Sequence, residues 1–377
     1  MELMVNMKQI NNNTRLYSLD ALRGFDMFWI MGIERVFHTL ARNTDAPFWQ
    51  VLSNQFRHPE WHGFTFYDLI FPLFLFLAGV SVPYALGKQF ELGKSKQQVV
   101  LRVIKRGLIL ILFGYILNNG LQMRPLEDIR FTHVLSKIGI SYVFACLIYI
   151  YFKPKGQIIW FVSLLLSFWV LLLFTSAPGF PRGDMTMEGN FATYIDAQII
   201  PGKLYMENVC EPEGPLTHLG SIPSALLGIL IGTMLKNTSL ENRKKTVLQI
   251  AGGGVVFIIV ALIWDLSFPI IKYLWSSSYS LLCGGISMIL MALFYYIIDI
   301  KGYRKWAFFF KVIGMNSIFI YMAPHFINFK FTTNALFKWL DQLLDKPYNS
   351  IALVICLLAV EWAVLYFMYK KKIFLKV

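Results

Sequence analysis

Apolar residues along the chain recur in blocks of about twenty, separated by shorter polar stretches. A helix of about 20 residues spans a bilayer core about 30 Å thick, so each block is long enough to cross a membrane. The pattern predicts an all-α, polytopic helical bundle, with about ten transmembrane helices forming a single domain over residues 1–377. The predicted spans lie near residues 18–40, 64–87, 101–121, 131–152, 157–176, 217–235, 246–266, 278–299, 307–328 and 349–369.

The composition agrees with this class of protein. Of the 377 residues, 56% are hydrophobic and only 15% are charged, and the mean hydropathy is +0.54. These values are typical of a polytopic membrane protein and exclude an ordinary soluble domain. The formal net charge is +13. In a membrane protein the position of the basic residues along the chain is more informative than their number, so we do not predict a nucleic-acid partner.

Basic residues lie in alternate loops: before the first predicted span, after the second, fourth, sixth and eighth, and after the last. The clusters are Lys8, Arg15 and Arg23; Lys88, Lys94, Lys96, Arg102, Lys105 and Arg106; Lys153 and Lys155; Lys236, Arg243, Lys244 and Lys245; Lys301, Arg304 and Lys305; and Lys370, Lys371, Lys372 and Lys376. The positive-inside rule then predicts that both termini are cytoplasmic and that the number of spans is even. This charge pattern supports the count of ten independently of hydropathy.

Two stretches on the predicted outer side depart from the otherwise short loops. Residues 177–216 are rich in Pro, Gly and acidic residues and also carry aromatic and aliphatic side chains, which predicts an ordered lid. Residues 331–346 predict an interfacial amphipathic helix that anchors at the headgroups, with a role toward substrate as the alternative. The apolar residues at helical spacing in this second stretch are Leu336, Trp339, Leu340 and Leu343.

Charged residues within the predicted spans need a partner or a function, because each costs about 2.5 to 3.5 kcal/mol on insertion scales. Asp20 and Arg23 are three residues apart and can pair on one helix face, so structural and functional interpretations both stay open for them. Glu34 lies about eleven residues deeper, roughly 16 Å along a helix. A carboxylate at that depth is harder to explain by structure alone.

The stretch "RHPEWHGFTFYDLIFPLFLFLAGVS", residues 57–81, places two histidines and a carboxylate ahead of a long apolar run. Asp68 would fall in the first helical turn, where the helix dipole and free backbone N–H groups favour a carboxylate. Alternatively, Asp68 accepts a hydrogen bond from a histidine ring and fixes its tautomer, as carboxylates do for catalytic histidines. From position alone, His58 is interpreted more readily as a packing or capping residue than as a catalytic one.

Other polar side chains are scattered through the predicted spans. They include Asn118, Asn119, Lys137, Ser141, Asn316, Ser317 and His325. Groups of this kind can simply hydrogen-bond one helix to another. Because many of them map to the outer half of the bundle, together they predict a polar cavity open to the non-cytoplasmic side.

Several stretches resemble the transmembrane acyltransferase family typified by heparan-α-glucosaminide N-acetyltransferase. The stretches occur in family order and cover nearly the whole chain, and the second of them is the most specific. They are "RLYSLDALRGFDMF" at 15–28, "HPEWHGFTFYDLIFPLFLFLAGVS" at 58–81, "YIDAQIIPGKLY" with "EPEG" across 194–214, "LWSSSYSL" at 274–281 and "GMNSIFIY" at 314–321.

The resemblance implies acetyl transfer across a membrane. Cytosolic acetyl-CoA would be the co-substrate, a terminal glucosamine-like amino sugar or another glycan would be the acceptor, and no metal would take part. His58 matches the active-site histidine of the family. The chain departs from the lysosomal pattern because it lacks the large luminal domain ahead of the bundle and has Glu34 in place of an asparagine. The short termini and the absence of targeting segments predict a homologue in a bacterial inner membrane.

This chemistry assigns candidate roles. His58 would act as general base or as acetyl carrier, with Asp68 or Glu34 orienting the imidazole. Arg23, Arg102, Lys105 and Arg106 are the candidates to bind the phosphates of CoA, although the positive-inside excess explains them equally well. The candidate substrate-binding residues are Trp61, Asn118, Asn316, Ser317 and His325, and of these Asn118, Asn316 and Ser317 could donate to an oxyanion.

Three further expectations complete the prediction. A transporter or flippase for a sugar or a lipid-linked glycan is the alternative function, because buried charge and an outward cavity suit it as well. The apolar faces of the bundle are compatible with a homodimer. Three of the four cysteines, Cys146, Cys283 and Cys356, fall inside predicted spans and only Cys210 lies in an outer loop, so neither a disulfide framework nor a metal site is predicted.

Overall fold

The computed structural model describes residues 16–205 and 209–375, and within these ranges the predicted all-helical membrane fold is confirmed. The α-helices are α1 (Tyr17–Phe28), α2 (Glu34–Asn43), α3 (Pro47–Asn54), α4 (Ile70–Glu91), α5 (Lys96–Asn119), α6 (Val134–Tyr151), α7 (Pro154–Phe174), α8 (Phe191–Ile199), α9 (His218–Asn237), α10 (Arg243–Asp265), α11 (Ser277–Phe294), α12 (Ala307–Gly314), α13 (Ser317–Met322), α14 (Phe329–Phe337), α15 (Leu340–Leu343) and α16 (Tyr348–Lys370). π-Helical turns at Trp29–Ile33 and Tyr295–Ile300 extend α1 and α11, and the 3-10 turn Phe66–Leu69 leads into α4.

Seven of the described helices are long and apolar enough to cross a membrane, or eight if the bent pair α12–α13 is counted as one span. The predicted spans outside this set are the first and the third. The first is interrupted at Gly32, whose φ of 115° breaks the helix between α1 and α2. The third, α5, carries several basic and amide side chains. The count of ten and the side of the termini stay predictions. Of the basic residues in the charge pattern, Lys8, Arg15 and Lys376 lie outside the described residues.

Helices α4 and α9 pack with their backbones in contact. A Cβ added at Gly79 would lie 2.0 Å from the carbonyl oxygen of Ala225, and one at Gly228 would lie 2.0 Å from that of Phe76. Small residues allow helices to approach this closely in a bilayer, where lipid tails remove the hydrophobic driving force between helices. The contact holds α4 firmly, and Asp68 lies in the turn immediately before it.

The bundle has two ends, which α4 connects. Asp68 precedes its first residue and Lys88 lies in its last turn, twenty residues later, so the two are separated by roughly 30 Å along the helix. We call the end that carries His58 and Asp68 the His58 end. The end that carries Arg23 and Lys88 is called the Arg23 end.

The two long outer stretches are both structured where they are described. The stretch 177–216 contains α8 and is joined to the His58 end by Trp61, whose Nε1 donates a hydrogen bond to the carbonyl of Met185 at 2.7 Å. The stretch 331–346 forms the last part of α14 and then α15, two short helices in place of the single predicted one, with a turn at Lys338–Trp339. A lid function for the first and an interfacial position for the second stay predictions.

Candidate active site

His58, Asp68 and Lys272 form a hydrogen-bonded cluster at the His58 end. His58 Nδ1 lies 2.6 Å from Asp68 Oδ1. Lys272 Nζ lies 2.7 Å from His58 Nε2 and 2.9 Å from Nδ1, and it is 3.6 Å from Asp68 Oδ1. The Asp68 side chain is fully buried, whereas the His58 side chain is one-third exposed. The imidazole is therefore held between a buried carboxylate and an amine while one edge stays accessible.

Asp68 is fixed by its own local structure. Its Oδ2 accepts hydrogen bonds from the backbone N–H of Thr65 at 2.9 Å and from the Thr65 hydroxyl at 3.1 Å, which completes a capping box. The phenol of Tyr279 donates to the Asp68 carbonyl at 2.7 Å. The two arrangements considered for Asp68 from the sequence, a helix cap and a histidine partner, are both present in the structure.

The hydrogen bond to Asp68 determines the tautomer of His58. An ionised carboxylate only accepts hydrogen bonds, so Nδ1 carries the proton and Nε2 carries the lone pair in the neutral imidazole. This is the orientation in which a carboxylate prepares a histidine for base or nucleophilic catalysis. Because Nδ1 already pairs with Asp68, Nε2 is the nitrogen left to take up a proton, and Lys272 Nζ lies 2.7 Å from it.

Lys272 was absent from the candidates that the sequence supplied. It lies in the segment between α10 and α11, 214 residues from His58 in the chain. The segment is joined to the His58 end by an antiparallel bridge between His62 and Ile271 and by stacking of the Trp61 and Tyr273 rings at 5.7 Å. Burial lowers the pKa of the Lys272 amine, and the nearby carboxylates of Asp68 and Glu213 oppose this shift. Its one sequence signal was its position two residues before the "LWSSSYSL" motif.

A cavity of about 190 Å³ lies beside the cluster, and we call it the His58 cavity. Its polar residues are His58, Tyr67, Glu213, Lys272 and Tyr321. The rest of its wall is mostly apolar and includes Met27, Ile30, Phe71, Phe74, Ile138 and Ile318. A small cavity with a mostly apolar wall strengthens electrostatic interactions within it.

A second cavity, of about 480 Å³, lies at the Arg23 end, and we call it the Arg23 cavity. Its charged residues are Asp20, Arg23, Lys88 and Arg106. Arg23 Nη1 lies 3.7 Å from Asp20 Oδ1, so the pairing on one helix face is present. The Arg23 cavity and the His58 cavity share Phe74, Ile138 and Ile318 in their walls. The two cavities therefore meet inside the bundle at three apolar side chains.

Only some of the predicted site residues line these cavities. His58 lines the His58 cavity, whereas Arg23, Arg106 and Ser317 line the Arg23 cavity. Arg102 and Lys105 are exposed on α5 and line neither cavity. The four predicted phosphate-binding residues therefore divide into two that face a cavity and two that face away from it.

The structure does not bring the predicted amide donors to His58. Asn118 Nδ2 donates to the carbonyl oxygens of Arg130 at 3.3 Å and Thr132 at 2.6 Å. Asn316 Nδ2 donates to the carbonyl of Ile373 at 3.0 Å, and its Oδ1 accepts from the backbone of Leu375 at 3.1 Å. Both amides hydrogen-bond backbone groups in the segments next to helices, before α6 for Asn118 and after α16 for Asn316. Neither lines the His58 cavity. Ser317 lies at the Arg23 end, and Lys272 is an N–H donor that the structure places beside His58.

Glu34, Trp61 and His325 also lie outside the His58 cavity. Glu34 Oε1 is 3.9 Å from Arg35 Nε. His325 is exposed and lines a separate cavity of about 530 Å³ with Arg35 and Glu361, which shares Met27, Ile30 and Tyr321 with the His58 cavity. Trp61 connects the cluster to the outer stretch 177–216 through its bond to Met185. These residues surround the candidate active site without contacting His58.

A buried charge network beside the His58 cavity was not predicted. Arg130 Nη2 lies 2.6 Å from Glu211 Oε1 and 2.7 Å from Glu213 Oε2, and the Glu211 side chain is fully buried. Burial alone would raise the pKa of Glu211, but hydrogen bonds led by that from Arg130 lower it. Burial raises the pKa of Glu213 to about 7, and Glu211 adds to the shift. Both carboxylates come from the "EPEG" stretch, and the network holds Glu213 in the cavity wall.

The described residues contain no group of three His, Cys, Asp or Glu side chains that could hold a metal ion. Cys146, Cys210, Cys283 and Cys356 are all free thiols. The expectation that no metal takes part stays a prediction.

Comparison with known proteins identifies the family. A family model described as an acyltransferase domain matches residues 16–368. The chain belongs to this acyltransferase family. Heparan-alpha-glucosaminide N-acetyltransferase of Mus musculus is 27% identical over an alignment of 420 residues, which covers 97% of this chain and 62% of the relative. The protein of the same name from Homo sapiens is 26% identical over 410 residues, which covers 94% of this chain and 60% of the relative.

The match confirms the resemblance seen in the motifs, and the apolar helices make this acyltransferase an integral membrane protein. Family membership favours an enzyme over the alternative of a transporter or flippase. The chain spans about three-fifths of the length of the curated relatives it matches. Donor, acceptor and sidedness are therefore matters for proposal, and the bacterial inner membrane and the homodimer stay predictions.

Proposed function

We propose that this acyltransferase moves an acetyl group from acetyl-CoA to the amine of an amino sugar, free or within a glycan, with His58 at the reacting centre. One observation carries the proposal: a cavity with basic residues and a cavity that contains His58 meet inside the bundle at Phe74, Ile138 and Ile318. The names of both curated relatives describe N-acetyl transfer to a glucosaminide, which supports the choice of donor group and acceptor.

The Arg23 cavity suits the nucleotide part of CoA. Arg23, Lys88 and Arg106 supply positive charge to its wall, and phosphates are recognised by such groups. The apolar junction between the cavities suits the uncharged pantetheine arm, which would carry the thioester to His58. The alternation of basic residues supports placing the Arg23 end in the cytosol and the acceptor at the His58 end.

The chemistry follows from the cluster of His58, Asp68 and Lys272. The acceptor amine attacks the thioester carbonyl carbon, a C–N bond forms, and the carbonyl oxygen becomes an oxyanion that the Lys272 ammonium stabilises. As Lys272 turns to the oxyanion, the lone pair of His58 Nε2 becomes free and takes the proton from the amine. Asp68 stabilises the resulting imidazolium. The C–S bond then breaks, and the CoA thiolate leaves and takes up the proton from His58.

An acetyl-histidine intermediate is the second route. In that route His58 Nε2 attacks the thioester carbonyl carbon, the C–S bond breaks and CoA leaves as the thiolate, while Nδ1 keeps its proton. The amine then attacks the acetyl-imidazolium, the bond between the acetyl group and Nε2 breaks, and the proton lost by the amine goes to the thiolate. Both routes need the same tautomer and the same hydrogen bond to Asp68. Rapid mixing with labelled acetyl-CoA in the absence of acceptor separates them, because only the second route leaves label on the protein.

Paired histidine variants test the proposal. His58→Gln should lower the transfer of labelled acetyl groups to a panel of amino sugars by about 100-fold or more, the lower range for removal of a general base. His62→Gln is the matched control, because His62 is 57% exposed and pairs with Asp265 at 3.1 Å away from the cavity. Wild-type rates in His58→Gln would refute the role of His58. Absence of transfer to every amino sugar, with acetyl-CoA still bound, would refute the acceptor.

A further inference from the structure

The proposed reaction leaves one proton of the acceptor without a base to receive it. An amino sugar is mostly an ammonium ion at neutral pH, because an aliphatic amine keeps its proton there. Its nitrogen must lose one proton before it can attack the thioester and a second one as the amide forms. His58 takes the second proton and passes it to the CoA thiolate. A further base is therefore needed where the ammonium arrives.

Glu213 is the one carboxylate among the described residues that line the His58 cavity. Asp68, just outside this wall, uses Oδ1 to hold His58 and Oδ2 to accept from Thr65. Lys272 Nζ lies 3.6 Å from Asp68 Oδ1, so the charges of this pair balance each other. With Lys272 as the ammonium that stabilises the oxyanion, Glu213 is the remaining group of the wall that can receive a proton at neutral pH.

Arg130 neutralises Glu211 more completely than it neutralises Glu213. Its Nε and Nη2 lie 3.0 and 2.6 Å from the two oxygens of Glu211, whose side chain is fully buried. Glu213 pairs only with Nη2, which lies 2.7 Å from Oε2, and its side chain is 11% exposed. The neighbouring Glu211 carboxylate cannot donate to Glu213, because ionised carboxylates only accept. Oε1 of Glu213 is therefore the oxygen available to a ligand in the cavity.

The charged groups around Glu213 leave one negative charge in excess. Asp196 on α8 lies against Gly214, where an added Cβ would meet its carboxylate. Lys137 on α6 donates to the Pro212 carbonyl at 2.7 Å and pairs with no carboxylate at salt-bridge distance among the described contacts. Three carboxylates thus lie near two cations: Glu211, Glu213 and Asp196 near Arg130 and Lys137. Because an unbalanced charge is costly in a poorly solvated site, the cluster favours the uptake of a cation.

We infer that Glu213 binds the acceptor as an ammonium ion and takes its first proton. The inference rests on the proposed function and adds a second base to it. An N–H bond of the ammonium breaks, its electron pair stays on nitrogen, and the proton goes to Glu213 Oε1. The neutral amine then attacks the thioester, with His58 as the base for its second proton. After the amide leaves, the Glu213 carboxyl releases its proton to water.

The acidity of Glu213 suits this exchange. Burial and the neighbouring Glu211 raise the pKa of Glu213 to about 7, while Arg130 and Lys137 oppose the rise. A base works best when its pKa lies near the operating pH, and a carboxylate of ordinary pKa would be a weaker base toward an ammonium ion. The site also selects amines over alcohols, because a hydroxyl acceptor brings no positive charge to Glu213.

Two acceptors of similar shape and different charge test the inference. Methyl glucosaminide is mostly an ammonium ion at neutral pH, whereas its aminooxy analogue is uncharged because the adjoining oxygen weakens the base. The preference is measured as the ratio of the two kcat/KM values. We expect Glu213→Gln to lower it by about 100-fold, the lower range for the loss of a base. Any effect of the substitution on both acceptors alike cancels in this ratio.

Glu188→Gln is the matched control, because Glu188 is an exposed carboxylate of the same outer stretch 177–216. It should keep the preference of the wild type. Glu213→Asp, which keeps the charge, should restore part of the preference that Glu213→Gln loses. An unchanged preference in Glu213→Gln would give Glu213 a structural role only and would overturn the inference.

A binding measurement without acetyl-CoA gives a second test that needs no variant to fold. The wild type should bind methyl glucosaminide about tenfold or more tightly than methyl glucoside, the value of a hydrogen-bonded charge. Equal binding of the two sugars would also overturn the inference. His58→Gln should lower the rates with both acceptors but keep this binding preference. Absence of acetyl transfer by a wild type that keeps the binding preference would instead refute the proposed function.

Discussion

Under the proposed function, Lys272 should set the pH dependence of the candidate active site. Its Nζ lies 2.7 Å from His58 Nε2, so in the structure an amine lies beside the nitrogen that would act as the base. Burial lowers the pKa of Lys272, and the carboxylates of Asp68 and Glu213 limit the shift. The ammonium form is therefore present below the lowered pKa and is lost as the pH rises through it. If the ammonium stabilises the oxyanion, activity falls on the alkaline side of that pKa.

Substitution of Lys272 should change the alkaline limb of the pH profile. We expect Lys272→Met to lower kcat by about 100- to 1,000-fold, the cost of losing one oxyanion donor. Lys272→Arg keeps the charge to above pH 12, so its kcat is reduced by geometry but holds to higher pH than in the wild type. The measurement is kcat against pH with an amino-sugar acceptor. If kcat of Lys272→Arg falls at the same alkaline pH as kcat of the wild type, a group other than Lys272 causes that fall.

The residues of the cluster differ in how far they could be predicted. His58 and Asp68 are ten residues apart within one stretch, so their pairing could be inferred from local geometry and the family spacing. Lys272 is brought to them only by the packing of α10 and α11 against the rest of the bundle, which no local pattern shows. Asn118 and Asn316 were chosen for their chemistry, but backbone carbonyls near helix ends use the same N–H groups.

At the scale of the helices, α1 and α12 approach so closely that only glycine fits at the crossing. A Cβ added at Gly24 would lie 1.7 Å from the carbonyl oxygen of Phe310, and one at Gly314 would lie 1.9 Å from that of Asp20. The crossing fixes the part of α1 that carries Arg23. The helix pair therefore depends on two glycines that hydropathy alone treats as neutral.

A pair of glycine substitutions tests this crossing. Gly24→Ala should destabilise the purified protein by about 1 to 3 kcal/mol through overpacking, seen as a lower temperature of thermal unfolding. Gly252→Ala on α10 is the matched control, because a Cβ there meets no atom within 4 Å. It should leave stability unchanged or raise it by up to about 1 kcal/mol, since alanine favours helix. Equal melting temperatures for the two variants would contradict the close packing.

The outer stretch is fastened to the bundle by Arg130, and removal of that side chain should loosen it. Arg130→Met leaves the buried Glu211 without its ion pair, at a cost of about 3 to 5 kcal/mol at neutral pH. Arg124→Met is the control, since the exposed Arg124 bonds only Gln122 among the described contacts. Because the pKa of Glu211 is lowered in the folded state, its contribution disappears as the pH falls through that pKa. The free energies of unfolding of Arg130→Met and Arg124→Met, measured from neutral to acid pH, should therefore become equal at low pH.

Helix boundaries were less predictable than helix existence. Residues 307–328 read as one apolar span, yet the chain bends by 72° between α12 and the segment that begins with α13. Asn316 marks the break, with φ −129° and ψ 36°, and its amide bonds to the segment that follows α16. A polar residue in an apolar run indicates where the helix could break at low energetic cost. Whether it breaks depends on hydrogen-bond partners that are distant in the sequence, here Ile373 and Leu375.

At the scale of the whole molecule, the donor and the acceptor would reach the junction from opposite ends. Arg106→Met should raise the KM for acetyl-CoA by about tenfold, the value of one charged hydrogen bond, with a smaller effect on kcat. Arg106 is suited to this role because it lines the Arg23 cavity, where its Nη1 donates to the Tyr142 hydroxyl at 3.0 Å. Arg102→Met is the matched control, since Arg102 is exposed on the same helix. Initial rates at varied acetyl-CoA concentrations give the KM of each variant. Equal KM values for Arg106→Met and Arg102→Met would mean that CoA does not bind in the Arg23 cavity.

The apolar junction of Phe74, Ile138 and Ile318 also bears on permeability. If water filled the space between its two cavities, a membrane protein of this kind would let ions leak and would dissipate the ion gradients across the membrane. Narrow apolar constrictions shed water and so block ions and protons without a moving gate. The same three side chains that would let an uncharged arm pass would therefore also block ions and protons.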